Sequence, residues 1–140
     1  MRKPILLHYY ITERCNCRCT FCDIWKTQAP RSADARLEDV ERNLAEARQL
    51  GARFVDFTGG APLLHADLPQ MLQTAKSLKF KTSVTTNGLR YPQRANELRG
   101  LVDFLHLSLD AAEASTHDVL RGKPVFDAAG ERILFYTASR

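Results

Sequence analysis

The stretch Thr12-Glu-Arg-Cys-Asn-Cys-Arg-Cys-Thr-Phe-Cys-Asp-Ile-Trp25 holds every cysteine of the chain, Cys15, Cys17, Cys19 and Cys22. Cysteines packed this tightly cannot staple distant parts of a fold, so a disulfide framework is a poor explanation and a metal centre a good one. Closely spaced thiolates suit zinc or an iron–sulfur cluster, both soft-ligand sites. Structural zinc usually takes two cysteine pairs from separate knuckles, and here the second knuckle is absent. Cys15, Cys19 and Cys22 instead form C-x3-C-x2-C, which departs from ferredoxin runs in which four ligands saturate the irons. On a four-iron cluster, three ligands leave one iron free to bind something else.

Outward from this loop the chain alternates strand and helix. Ile5 to Ile11 is a near-continuous apolar and aromatic run, the pattern of a parallel strand buried on both faces. Leu37, Val40, Leu44 and Ala47 recur at helical spacing, and Gly51 stands at the C′ stop. A second strand is expected over Phe54 to Phe57. Asp67 stands at an N-cap, followed by the apolar helical face of Leu68, Met71, Leu72, Ala75 and Leu78. Further strands are expected over Thr82 to Thr85 and Val102 to Leu109, with a short helix around Pro92 to Leu98 between them.

This β-α-β-α order predicts a parallel sheet with right-handed crossovers. A closed eight-stranded barrel needs ~250 residues, so 140 residues accommodate a partial, open (β/α) TIM-like barrel of about four to five parallel strands. Ile133 to Thr137 is the candidate fifth strand, or the end of the preceding helix. In α/β barrels, functional residues collect on loops at the C-terminal ends of strands. The cysteine loop, Gly59-Gly60, Asn87 and Asp110 all follow strands in this reading. Phe104, His106, Ser108 and Asp110 share one face by the period of two, and the glycine pair allows close backbone approach to a ligand.

The cysteine run, with Phe21 before its last cysteine, resembles the signature of the radical S-adenosylmethionine (SAM) superfamily. Thr58-Gly-Gly-Ala-Pro-Leu-Leu64 is similar to that family's Gly-Gly-Glu-Pro segment after strand two, and Thr85-Thr-Asn-Gly88 to the segment after strand three. Leu107-Ser-Leu-Asp110 resembles the end of strand four, and His117-Asp-Val-Leu-Arg-Gly122 the turn that opens the next helix. The nearest branch is that of molybdenum-cofactor cyclases and peptide-modifying enzymes. The resemblance implies a 4Fe-4S cluster on Cys15, Cys19 and Cys22, with SAM on the open iron. It also implies reductive cleavage of SAM to a 5′-deoxyadenosyl radical that takes hydrogen from a substrate. By carry-over Phe21 borders the adenine, Gly59 and Gly60 accompany the methionine end, Asn87 and Ser108 line the SAM pocket, and Asp110 and Arg121 face substrate or hold a turn. An unknown substrate and an electron donor such as flavodoxin or ferredoxin are the implied partners. Residues 1–140 read as one such core domain, incomplete at its C-terminal end.

One departure stands out. Ala61 occupies the position of the family's glutamate, a carboxylate near the amino group of SAM, so a charge-assisted contact of ~1.5–3 kcal/mol is missing. Cys17 reads as a bystander thiol in the three-residue gap, and His106 as a packed, hydrogen-bonded histidine. His8 and His65 carry no special signal, and His117 reads as stabilising a helix start.

Composition narrows little beyond this. The 20 Lys and Arg against 16 Asp and Glu are scattered, giving no nucleic-acid-binding run. The N-terminal basic–apolar stretch ends at His8-Tyr9-Tyr10, too soon for a secretory signal. No stretch approaches the ~20 apolar residues of a membrane helix, and the expectation is a cytoplasmic domain. Three classes of function stay open: a radical SAM enzyme domain, a cluster-holding protein without catalysis, and a zinc-binding interaction module.

Overall fold

The computed structural model describes residues 3–127. Four parallel strands, β1 (Leu6–Thr12), β2 (Phe54–Gly59), β3 (Lys81–Thr86) and β4 (Phe104–Leu107), lie side by side in sequence order. Helices α1 (Leu37–Leu50), α2 (Leu68–Ser77) and α3 (Tyr91–Leu98) carry the crossovers, and α4 (Ala114–Arg121) follows β4. This is an α/β partial barrel, with four of the expected four to five strands among the described residues. The candidate strand at Ile133 to Thr137 lies outside them.

The core occupies one face of the sheet. Val55, Phe57 and Val84 point from β2 and β3 into a layer built from Val40 and Leu44 of α1, Leu68, Met71 and Leu72 of α2, and Ala95 and Leu98 of α3. Each helix contributes the apolar stripe that its periodicity predicts. Gly51 ends α1 in the left-handed conformation at φ 108°, its N–H bonded to carbonyls of the last turn, a geometry glycine adopts freely. Asp67 does occupy the N-cap position of α2, but its side chain makes no capping bond.

Three expectations need correction. The first strand runs one residue later than Ile5 to Ile11 and is not buried on both faces: Leu7, Tyr9 and Ile11 turn to the core, while Leu6, His8 and Tyr10 lie on the opposite, open face. A barrel curls its second face around an interior, and four strands leave that interior uncovered, so its aromatic and polar residues stay accessible. The fourth strand is four residues long, not Val102 to Leu109, because the chain leaves the ladder after Ser108, whose N–H bonds the carbonyl of Thr86. His117 to Gly122 forms the end of α4 and not its opening, with Gly122 as left-handed cap at φ 65°.

Candidate functional site

The cysteine loop leaves β1 at Thr12 and is pinned at once. The Thr12 hydroxyl accepts the Arg14 N–H and donates to Asp34, while the Arg14 guanidinium grips both Asp34 oxygens and the carbonyl of Leu64. Burial pushes the Asp34 carboxyl up, but hydrogen bonds from Arg14 and Thr12 outweigh it and hold the group below its usual range. Such a two-pronged arginine–carboxylate pair fixes orientation as well as charge.

The end of β2 supports the loop from beside. The N–H groups of Gly60 and Ala61 donate to the carbonyls of Thr12 and Arg14, each at 2.8 Å. A Cβ on Gly59 would sit 2.2 Å from the Thr12 oxygen, and one on Gly60 2.3 Å from the Arg14 oxygen. The two glycines therefore admit the protein's own backbone, seating the cysteine loop on β2 while also lining the cavity beside it. From the far side, α4 closes on the loop. Arg18 N–H bonds the Arg121 carbonyl, Thr20 N–H the Leu120 carbonyl, and a Cβ on Gly122 would meet the Arg18 oxygen at 2.4 Å.

These contacts gather Cys15, Cys17, Cys19 and Cys22 around one cavity of about 140 Å³, whose wall also contains Phe21, Thr58, Gly59, Gly60, Thr85, Asn87, Ser108 and Arg121. The ends of all four strands thus converge on the thiols, as the strand-end placement of the motifs predicts. Asp110 is the exception among the sequence-predicted residues. Its carboxylate lies 2.5 Å from Arg121 Nε and its N–H bonds His117 Nδ1, so it holds the turn into α4. Arg121 in turn places a second nitrogen 3.7 Å from Cys19 Sγ and its guanidinium over the ring of Phe21.

Asn87 lines the cavity, but its amide is engaged in shaping the loop: Nδ2 donates to Asn16 Oδ1 at 2.7 Å and to Cys17 Sγ at 3.3 Å, while Oδ1 accepts the Leu89 N–H. Cys17 is 1% exposed and packs with Cys19 and Val125. Burial and the neighbouring thiols push its pKa up to about 11. Burial also raises the pKa of Cys15, partly opposed by the Cys17 N–H. Trp25 packs under the loop and donates its indole N–H to the Cys19 carbonyl at 3.1 Å. The ring of Phe21 is 60% exposed at the mouth of the cavity.

Thiolates supply soft ligands, the donor type of both iron–sulfur clusters and zinc, and here four of them line one cavity. Ala61, 2% exposed, is buried behind the cavity wall. Sequence reading gave no role to Arg14 with Asp34, and left Arg121 without its partners. Both depend on contacts across the fold that no local pattern signals.

His65 is buried as a turn brace, bonded to the Ala35 carbonyl and the Asp67 N–H. His117 is likewise buried, beneath Phe126. His106 departs from its expected packed state: it is hydrogen-bonded to Thr85, but its side chain is 59% exposed on the open face.

Comparison with known proteins agrees with this geometry. Residues 9–133 match the family model of the radical SAM superfamily. A probable GTP 3′,8-cyclase from Methanosarcina mazei is 31% identical over 128 residues, covering 88% of this chain and 38% of that protein. The fold superimposes on Streptococcus suis SuiB bound to S-adenosylmethionine with a TM-score of 0.79 at 24% identity, over 98% of this chain and 30% of SuiB. Methylornithine synthase (PylB) gives 0.76 at 16% identity, over 99% of this chain and 42% of that one. The chain thus spans well under half the length of each of these proteins. Superfamily members work with a 4Fe-4S cluster and S-adenosylmethionine. With a three-cysteine loop at the top of β1, a Gly-Gly turn beneath it and a family match across nearly its whole length, this chain belongs to the radical SAM superfamily.

Proposed function

We propose that this chain holds a 4Fe-4S cluster through Cys15, Cys19 and Cys22, binds S-adenosylmethionine beside it, and forms the core of a radical SAM enzyme. The observation that supports this most directly is the shared cavity, where those three thiols meet the ends of β2, β3 and β4. When bound and reduced, the cofactor pair supplies a 5′-deoxyadenosyl radical able to remove hydrogen from substrate. The chain's own residues orient and shield. Gly59 and Gly60 bring backbone to the cavity edge, Ser108 and Asn87 form its side, and Phe21 stands at its mouth. Arg121, held by Asp110, places positive charge on Cys19.

On the loop's other side a polar cleft of about 460 Å³ reaches Cys15 and Cys17 past Arg18 and Trp25. Arg18 and Lys26 lie 6.0 Å and 5.7 Å from the Trp25 ring centre. Arg18 on the cleft wall suits an acidic electron donor such as flavodoxin or ferredoxin.

The test is anaerobic reconstitution followed by reduction with SAM present. The expected result is about four irons per chain, together with methionine and 5′-deoxyadenosine. Cys19→Ala should lose both. A second reading, a protein that holds the cluster without catalysis, is favoured by Ala61. Full iron loading with no 5′-deoxyadenosine would establish it in place of the first.

A further inference from the structure

The open face of the sheet carries a second constellation beside the cysteine cavity. Strand register puts His8 of β1, Asp56 of β2 and Ser83 of β3 in one row, and His106 beside Thr85 in the next. Asp56 is the hub. Its carboxylate is only 5% exposed, and it accepts from Ser83 Oγ at 2.7 Å, from Thr85 Oγ1 at 2.9 and 3.1 Å, and from His8 Nδ1 at 3.4 Å. Thr85 Oγ1 also lies 3.3 Å from His106 Nδ1. Both imidazoles are mostly accessible, 61% for His8 and 59% for His106.

Counting hydrogens fixes the histidines. The Asp56 oxygens accept from the Ser83 and Thr85 hydroxyls, and as an acceptor toward His8 too, Asp56 takes its donor from His8 Nδ1. Thr85 has one hydroxyl hydrogen and gives it to Asp56. Its oxygen can therefore only accept from His106, which must also carry its proton on Nδ1. One buried carboxylate thus sets both tautomers, leaving two Nε2 lone pairs on the open face. Thr85 belongs as well to the wall of the cysteine cavity, so this pair adjoins the place where a radical would form.

We propose that His8 and His106 are a paired hydrogen-bond acceptor for the substrate, positioned by Asp56, and that the substrate presents N–H or O–H donors such as an amine, amide or hydroxyl to this face. That the ligand is a substrate rests on the radical SAM reading, but the acceptor pair itself does not.

Long-range nitrogen–proton imidazole spectra of the full chain, without cluster or SAM, test it at a pH where the imidazoles are neutral. The other two histidines are internal controls of opposite kind. His65 and His117 each accept a backbone N–H at Nδ1, and must carry their proton on Nε2. The expected spectrum shows two Nδ1–H and two Nε2–H imidazoles. Thr85→Val should release His106 alone, and Asp56→Ala should release both while His65 and His117 keep their pattern, showing the fold intact. Added methylammonium should shift both Nε2 signals in the parent protein and neither in Asp56→Ala, whereas inorganic phosphate should shift neither. An Nε2–H form at His8 and His106 overturns the proposal, as does a response to phosphate in place of methylammonium. If the tautomers hold and no 5′-deoxyadenosine forms, the enzyme reading fails and the acceptor site stands.

Discussion

At the scale of single residues, Cys17 and Cys19 are both buried while Cys15 and Cys22 are half-buried, and Cys17 is the one hydrogen-bonded by Asn87. In the proposed cluster Cys17 is the thiol left to pack the loop. Cys17→Ala should keep the full iron content and visible absorption and cost about 1 kcal/mol of stability from the small void, measured by urea unfolding beside Cys19→Ala, which should lose the iron. Equal iron loss in both would make the site a four-cysteine one. Ala61 is a sharper case, because it is buried. If position 61 faces the ammonium of SAM, as its place in the Gly-Gly-Glu-Pro-like segment implies, a buried glutamate there costs ~1–3 kcal/mol in the SAM-free protein and is satisfied when SAM binds. Ala61→Glu should therefore melt lower than the parent without SAM, and SAM should raise its melting temperature by more. A smaller SAM-induced rise would mean that position 61 does not face the amino group.

At the scale of elements, backbone seats help hold the loop, and the Asp103 carboxylate helps tie the sheet to α2. Gly60→Ala drives a methyl into the Arg14 carbonyl, a backbone atom that cannot swing aside. The expected cost is ~1–3 kcal/mol, together with reduced iron loading, since the loop must lift from β2. Asp103 ties β3, β4 and α2 together through Lys76 Nζ at 2.8 Å and the N–H of Thr82 at 2.8 Å. Burial raises its pKa, but those bonds prevail and bring it to about 2 from 3.8. Between those values the unfolded chain binds the proton and the folded one does not, so stability falls as pH drops through that window and is fully present above it. Asp103→Asn should flatten acid unfolding over about pH 2 to 4 without altering the slope near neutrality. An unchanged acid limb would show that other carboxylates carry it.

At the scale of the molecule, an open barrel exposes what a closed one would enclose. Leu6 and Phe54 lie exposed on the open face below the row of His8, Asp56 and Ser83, and Phe104 lies exposed at the β4 end of that row, and β1 and β4 present unpaired edges within the described sheet. Exposed apolar surface beside free edges favours association. Size-exclusion chromatography should show larger species as concentration rises, and Phe104→Lys should shift the population toward monomer. A concentration-independent monomer would count against this. Among the described residues no helix is long and apolar enough to cross a membrane.

Much of this architecture was legible in the chain itself. The three-cysteine spacing, the strand–helix alternation and the strand-end glycines and polar residues are local signals, each read within a window of about 18 residues or fewer. They carry the fold class and the neighbourhood of the site, because periodic burial and turn chemistry act along the chain. Tertiary structure alone decided what the residues do with one another. His8 meets Asp56 across 48 positions, and Arg121 meets Cys19 across 102. Such pairs depend on lateral register and on where α4 docks, and no periodicity encodes those. The same holds for the open face of β1, whose continuous apolar and aromatic run reads as a strand buried twice. Whether its second face is covered depends on how many strands close around it, a property of the sheet and not of the strand.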